Sequence, residues 1–93
     1  MALTISERSF GDARKLVVET NGVLMQKATV LTSKKRIMYR EINCIVRSST
    51  GLLCIYYGAE HFKIQTSLTN QKHNDAVNRL VERVRATDSA LGA

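Results

Sequence analysis

Arg14-Lys15-Leu16-Val17-Val18-Glu19-Thr20-Asn21-Gly22-Val23-Leu24-Met25-Gln26-Lys27-Ala28 is the stretch whose reading decides the fold. Two runs of aliphatic and β-branched residues flank an Asn-Gly pair. A two-residue type I′ turn needs positive φ at both central positions, and Asn and Gly accept that conformation most readily. The stretch therefore predicts a β-hairpin turning at Asn21-Gly22, its second strand continuing through Thr29-Val30-Leu31-Thr32.

Toward the C-terminus, Ser33-Lys34-Lys35 reads as a polar turn at a hairpin tip. Residues 36–39 and 41–47 follow as one bent strand or two short ones, with Ile42, Cys44 and Val46 sharing a face. Ser48-Ser49-Thr50-Gly51 is the next turn, and its register is open. A loop centred on Ser49 sets Cys44 opposite Cys54; a two-residue loop at Ser49-Thr50 sets it opposite Ile55. Residues 52–57 are apolar throughout, as in a strand covered on both sides or lying at a bend. After a turn at Gly58-Ala59-Glu60, residues 61–67 alternate, with Phe62, Ile64 and Thr66 on one face.

The period then changes. His73, Val77, Leu80 and Val84, widened by Ala76 and Val81, form one apolar stripe of an amphipathic helix. Thr69 or Asn70 caps its start. Asp75 lies at the positive end of the dipole and is spaced to pair with Arg79, and Arg83 and Arg85 lie toward the negative end. Residues 87–93 are expected to fray. The fold class is α+β, mainly β: a strongly bent antiparallel sheet or small, partly open barrel of five to seven strands, closed by one C-terminal helix. A single domain spans 1–93, its ordered core at about 14–86.

Composition narrows the class. At 93 residues, 44% hydrophobic and 24% charged, the chain is long enough for one core and too apolar for general disorder. No run approaches the ~18 apolar residues that span a bilayer. Residues 1–10 lack the apolar run of a signal peptide, so a cytoplasmic location is expected. Cys44 and Cys54 have neither CxxC spacing nor a nearby His pair, which points to free packed thiols and no metal site. The net charge of +6 is uneven: residues 1–50 hold nine Lys/Arg against four Asp/Glu, residues 51–93 five against four. A basic half suits an anionic partner, or serves solubility alone.

The order resembles the pleckstrin-homology (PH)-like superfold, in particular its short bacterial members. Thr29-Val30-Leu31-Thr32-Ser33-Lys34-Lys35-Arg36 looks like that family's strand and Thr-x-x-Arg turn. Ile37-Met38-Tyr39-Arg40-Glu41-Ile42-Asn43-Cys44-Ile45-Val46 looks like its Tyr-x-x-Ile-x-x-Val step. The apolar strand at 52–57, the strand around Phe62 and the closing helix follow in family order, covering roughly residues 14 to 86. The resemblance implies seven strands, one N-terminal strand being abbreviated or supplied by residues 3–6. It also implies binding of a protein, peptide or lipid surface. Fold analogy alone carries little functional weight.

The candidate binding residues are Lys34, Lys35 and Arg36, the densest basic run, which Arg14, Lys15 and Arg40 join if the sheet curls. The plain alternative is a solvated turn whose charges blunt a sheet edge. Tyr56 and Tyr57 point to opposite faces of one strand, so one is core and the other a candidate interface anchor. A protein partner or an acidic lipid surface is expected, with nucleic acid less so. Stacking needs exposed aromatics, and Phe10, Tyr39, Tyr56, Tyr57 and Phe62 lie mostly in strand contexts. No catalytic residue and no cofactor are expected. Pairing Cys44 or Cys54 with His61 or His73 offers a nucleophile and base on paper, without an activating environment. Self-association is a further expectation, by edge pairing, the N-terminal strand being poorly protected, or by helix packing.

Overall fold

The computed structural model describes residues 3–9, 12–28 and 31–92. Seven strands and one helix follow in order: β1 (Leu3–Ser9), β2 (Asp12–Val18), β3 (Gly22–Ala28), β4 (Thr32–Met38), a 3-10 turn (Tyr39–Glu41), β5 (Ile42–Arg47), β6 (Leu52–Tyr57), β7 (Glu60–Gln65) and α1 (Gln71–Gly92). The class is α+β and mainly β. However, the strands form two antiparallel sheets, β1-β2-β3-β4 and β5-β6-β7, and do not close into a barrel. The ladder breaks at the 3-10 turn. There the Met38 N–H donates to Glu41 Oε2 at 2.6 Å instead of continuing a strand. Of the two expectations for the N-terminal strand, abbreviated or supplied by residues 3–6, β1 matches the second and extends it to Ser9.

Two predicted turns are placed differently. The first hairpin forms, but Val18 pairs with Val23 and the Glu19 N–H donates to the Gly22 carbonyl, so the loop is Thr20-Asn21. Among the described residues only Gly51 and Gly58 have positive φ, which excludes a type I′ turn here. Gly22 serves close approach instead: a Cβ on it would lie 2.0 Å from the Ile37 carbonyl oxygen of β4. Tertiary fit thus overrides the local turn preference of Asn-Gly. Likewise Ser33, Lys34 and Lys35 are strand residues, paired with Lys27, Gln26 and Met25. Thr29 and Val30, read as strand, lie outside the described residues.

The turn after β5 resolves to neither expected register. Cys44 faces Tyr56, and Val46 faces Cys54. Ser49, Thr50 and Gly51 make a three-residue loop with Gly51 at φ +92°, the form in which a type I turn ends on a left-handed glycine. The Ser48 hydroxyl fixes the loop by accepting the Leu52 N–H at 3.0 Å, and Gly51 N–H donates to Ser48 O at 3.0 Å.

Period-2 alternation turns Ile5, Leu16, Val23 and Ile37 of the first sheet and Leu53, Ile55 and Ile64 of the second onto one shared core. Helix α1 closes it with Ala76, Val77, Leu80 and Val84, packing along β1 and the 3-10 turn. Asn70 is the N-cap, its Oδ1 accepting the Lys72 and His73 N–H groups at 2.9 and 3.2 Å. His73 Nδ1 accepts the Ser67 N–H at 3.0 Å, so this ring fastens the entry to the helix. Asp75 accepts from Gln71, and the helical backbone continues through Gly92. Arg47 pins β5 to this junction through Thr66 Oγ1, Asn74 Oδ1 and the Ser67 carbonyl.

The sheets meet where β7 lies across the strands of the first. Glu60 binds Lys35 of β4 at 2.8 Å, the Lys63 carbonyl accepts from Arg14 of β2 at 2.7 Å, and the Gln65 N–H donates to Glu7 of β1 at 2.9 Å. Five residue steps of a strand cover about 17 Å, close to the ~14 Å across four neighbouring strands. A steep crossing is therefore what lets one strand touch β4, β2 and β1 in turn. Gly22→Ala is expected to lower stability by about 1–3 kcal/mol in urea unfolding, with the denaturant slope unchanged, because the added methyl overpacks the β3–β4 contact.

Candidate functional site: a cationic cleft beside the free edge of β4

β4 is the outer strand of its sheet, and of its seven residues only Ile37 is buried. Alternation divides its cations. Lys35 follows Ile37 onto the inner face, whereas Lys34 and Arg36 follow Met38 outward. Lys15 of β2 lies in the same outer cross-strand row as Lys34, with Gln26 between them. Arg36 is bound by Glu19, Nε to Oε1 at 2.9 Å. Arg14 faces inward and is committed to the Lys63 carbonyl, and Arg40 sits in the 3-10 turn. The six sequence candidates therefore fall into two groups: Lys15, Lys34 and Arg36 on the outer face, and Arg14, Lys35 and Arg40 at the gap between sheets.

That gap is a cleft. A cavity of about 340 Å³ lies between β4 and the β6–β7 hairpin, with Met25, Tyr57 and Phe62 giving apolar lining and Lys27, Lys34 and Lys35 cationic lining. Its continuation, about 150 Å³, adds Arg14 and Lys63 and shares Lys27, His61 and Phe62. On the other side of Lys35, a cavity of about 400 Å³ reaches Arg40 and Asn43. The Lys35 ammonium stands 5.0 Å over the Tyr57 ring. Its hydrogen bond to Glu60, opposed in part by desolvation, holds the ammonium above the ordinary lysine value. Charged lysine is thus its form throughout the neutral range.

Lys27, Lys63, His61 and Phe62 were absent from the sequence candidates. Part of this was legible: Phe62 was placed on one face with Ile64 and Thr66. What was not legible is that β7 crosses the first sheet, which brings Lys27 and Lys63 to one opening. Of the tyrosine pair, Tyr57 faces the cleft half-buried. Tyr56 faces outward, 39% exposed, with its ring 6.0 Å from His61. Phe10 lies outside the described residues.

Both thiols are free; Cys44 is exposed on the outer face of the second sheet and Cys54 is buried. Since Val46, not Cys44, stands opposite Cys54, the two occupy diagonal positions. Among the described residues, no group of three or more His, Cys, Asp or Glu side chains is arranged to hold a metal ion, and no helix is long and apolar enough to cross a membrane. A second groove, about 370 Å³, lies between the Thr20-Asn21 turn and α1, with Arg40 and Arg83 on its walls and Tyr39 within it. The buried Tyr39 hydroxyl donates to the Glu19 carbonyl, tying the 3-10 turn to the first hairpin.

Comparison with family models, with curated proteins and with solved structures finds no match to this chain.

Two solution measurements check this geometry. One thiol, Cys44, is expected to label at once with an aromatic disulfide reagent, and Cys54 only at the rate of opening or unfolding. Tyr39 is expected to ionise above the ordinary value of 10.0, because burial disfavours the phenolate; nearby Glu19 adds to this, and Arg83 and Arg79 oppose it. A folded-state pKa raised in this way gives stability that is whole below pH 10 and lost as pH rises beyond it. Tyr39→Phe should remove that alkaline loss and cost ~1 kcal/mol at neutral pH through the missing hydrogen bond, both read from unfolding curves.

Proposed function

We propose that this chain is a non-catalytic interaction module of PH-like architecture, acting in the cytoplasm, that binds an anionic partner along the open side between its two sheets. One observation carries the reading. Arg14, Lys27, Lys35 and Lys63, from four strands of two sheets, converge on a cleft floored by Phe62 and Tyr57. Composition does not require such convergence, and a charge scatter serving only solubility would not line an apolar cavity. Seven strands followed by one helix is also the order that the PH-like resemblance implies. The acids nearby are engaged: Glu60 with Lys35, Glu19 with Arg36, and Glu7 with the Gln65 N–H. Lys27 and Lys63 carry no ion pair among the described residues and so offer the accessible charge.

The partner is a protein segment or a surface bearing negative charge. The nucleic-acid reading is weaker, because among the described residues its stacking requirement is met outside the cleft only by the exposed Tyr56. Binding to polyglutamate and to vesicles containing phosphatidylserine, measured in parallel with uncharged vesicles, tests the proposal. At least one anionic probe should bind, weaken with added salt, and lose roughly thirtyfold in affinity in Lys27→Glu/Lys63→Glu, the scale of about 1 kcal/mol for each of two surface cations. Lys72→Glu, on the exposed start of α1, should lose much less. No binding to any anionic probe, or equal loss in Lys72→Glu, overturns it.

A further inference from the structure

We propose that the partner's contact element is an extended acidic peptide segment that adds to the free edge of β4 as a fifth strand of the first sheet; this rests on the anionic-partner reading above.

The backbone of β4 has unfilled hydrogen-bonding positions on one side. Glu19 N–H donates to the Gly22 carbonyl, so Gly22 turns its backbone toward β2, and by alternation Val23 and Met25 turn theirs toward β4. Their partners Ile37 and Lys35 are thus the hydrogen-bonded residues of β4, while Lys34 and Arg36 direct N–H and C=O away from the sheet. Met38 agrees from the other end: its N–H, on the same side, is taken by Glu41. The remaining edges differ. β1 is flanked by α1, β7 has Lys63 C=O and Gln65 N–H filled by Arg14 and Glu7, and β5 carries no charge before Arg47. Among the described residues, only β4 combines an open edge with a basic run.

That run selects the occupant. Lys34, Lys35 and Arg36 repel a second copy of β4, the usual guard against edge-to-edge pairing, and the same charges attract a strand bearing carboxylates. An added strand places alternate side chains, ~7 Å apart, on the inner face. There the cavities of about 340 and 400 Å³ lie on either side of the Lys35–Glu60 pair. Lys27 and Lys35 border the first and Arg40 the second, so each meets an incoming carboxylate with a cation.

The test uses the full chain and a synthetic heptapeptide of alternating Glu and Val, matching the seven residues of β4. Saturating peptide should slow amide hydrogen exchange at Lys34 and Arg36. Two versions N-methylated at alternate amides, in opposite phases, should differ, one losing about tenfold or more in affinity and the other close to the parent, since one phase alone faces β4. Lys34→Glu/Lys35→Glu should lose a similar factor, and Glu60→Gln, which frees Lys35, should gain affinity. Equal binding by both methylated phases, or unchanged exchange at Lys34 and Arg36, overturns strand addition. Binding to phosphatidylserine vesicles but not to the peptide overturns it while the anionic-partner reading stands. Binding to neither the peptide, polyglutamate nor the vesicles removes both.

Discussion

β7 lies across the first sheet and is held there by groups from three of its strands. Lys35, Arg14 and Glu7 reach Glu60, the Lys63 carbonyl and the Gln65 N–H in succession. Two of these bonds go to the backbone of an edge strand, so they fill groups that would otherwise face water or another chain. They do what a continuous ladder does in a closed barrel, but through side chains that reach farther than a backbone pair. The sheets consequently stay separate, and the gap beside β4 stays open. The shared core, the position of the cleft and the exposure of β4 all depend on this crossing.

The charges follow from it. A basic run in a solvated loop would present three equivalent cations. In a strand the same residues point to alternate faces, so Lys35 enters the gap against Glu60 and Tyr57 while Arg36 meets Glu19 outside. Such exposed ion pairs add little stability. Their weight lies in position: they occupy local acids and leave the neighbouring lysines to face whatever approaches. Electrostatics of this kind contributes more to partner choice and approach than to affinity.

The opposite end of the molecule is built for rigidity. Arg47 gathers Thr66, Ser67 and Asn74, His73 holds the Ser67 N–H, Asn70 caps α1, and the Thr66 hydroxyl donates to the Gly51 carbonyl. This network joins the second sheet to the helix that covers β1. One end of the molecule is thus pinned, while the edge of β4 keeps unfilled backbone groups.

Periodicity in the chain was enough to read strands followed by one helix, the apolar stripe at Val77, Leu80 and Val84, and the shared face of Phe62, Ile64 and Thr66. These are local consequences of burying one face at a period of 2 or 3.6. The turn at Asn21-Gly22 was misread because Gly22 answers to the nearby Ile37 carbonyl, a neighbour fifteen residues away in the chain. Lys34 and Lys35 were misread as a turn because polar residues suit a doubly exposed edge strand equally well. The Cys44 register turned on where one left-handed glycine, Gly51, ends its loop. By itself, then, the sequence determined the order of the elements and most of their apolar faces, but not that Cys44, expected to pack on one face with Ile42, is exposed beyond a register shift between the two. Only the tertiary structure decided which cations share a space, because that depends on the angle at which β7 crosses four strands, and no local pattern encodes an angle between sheets.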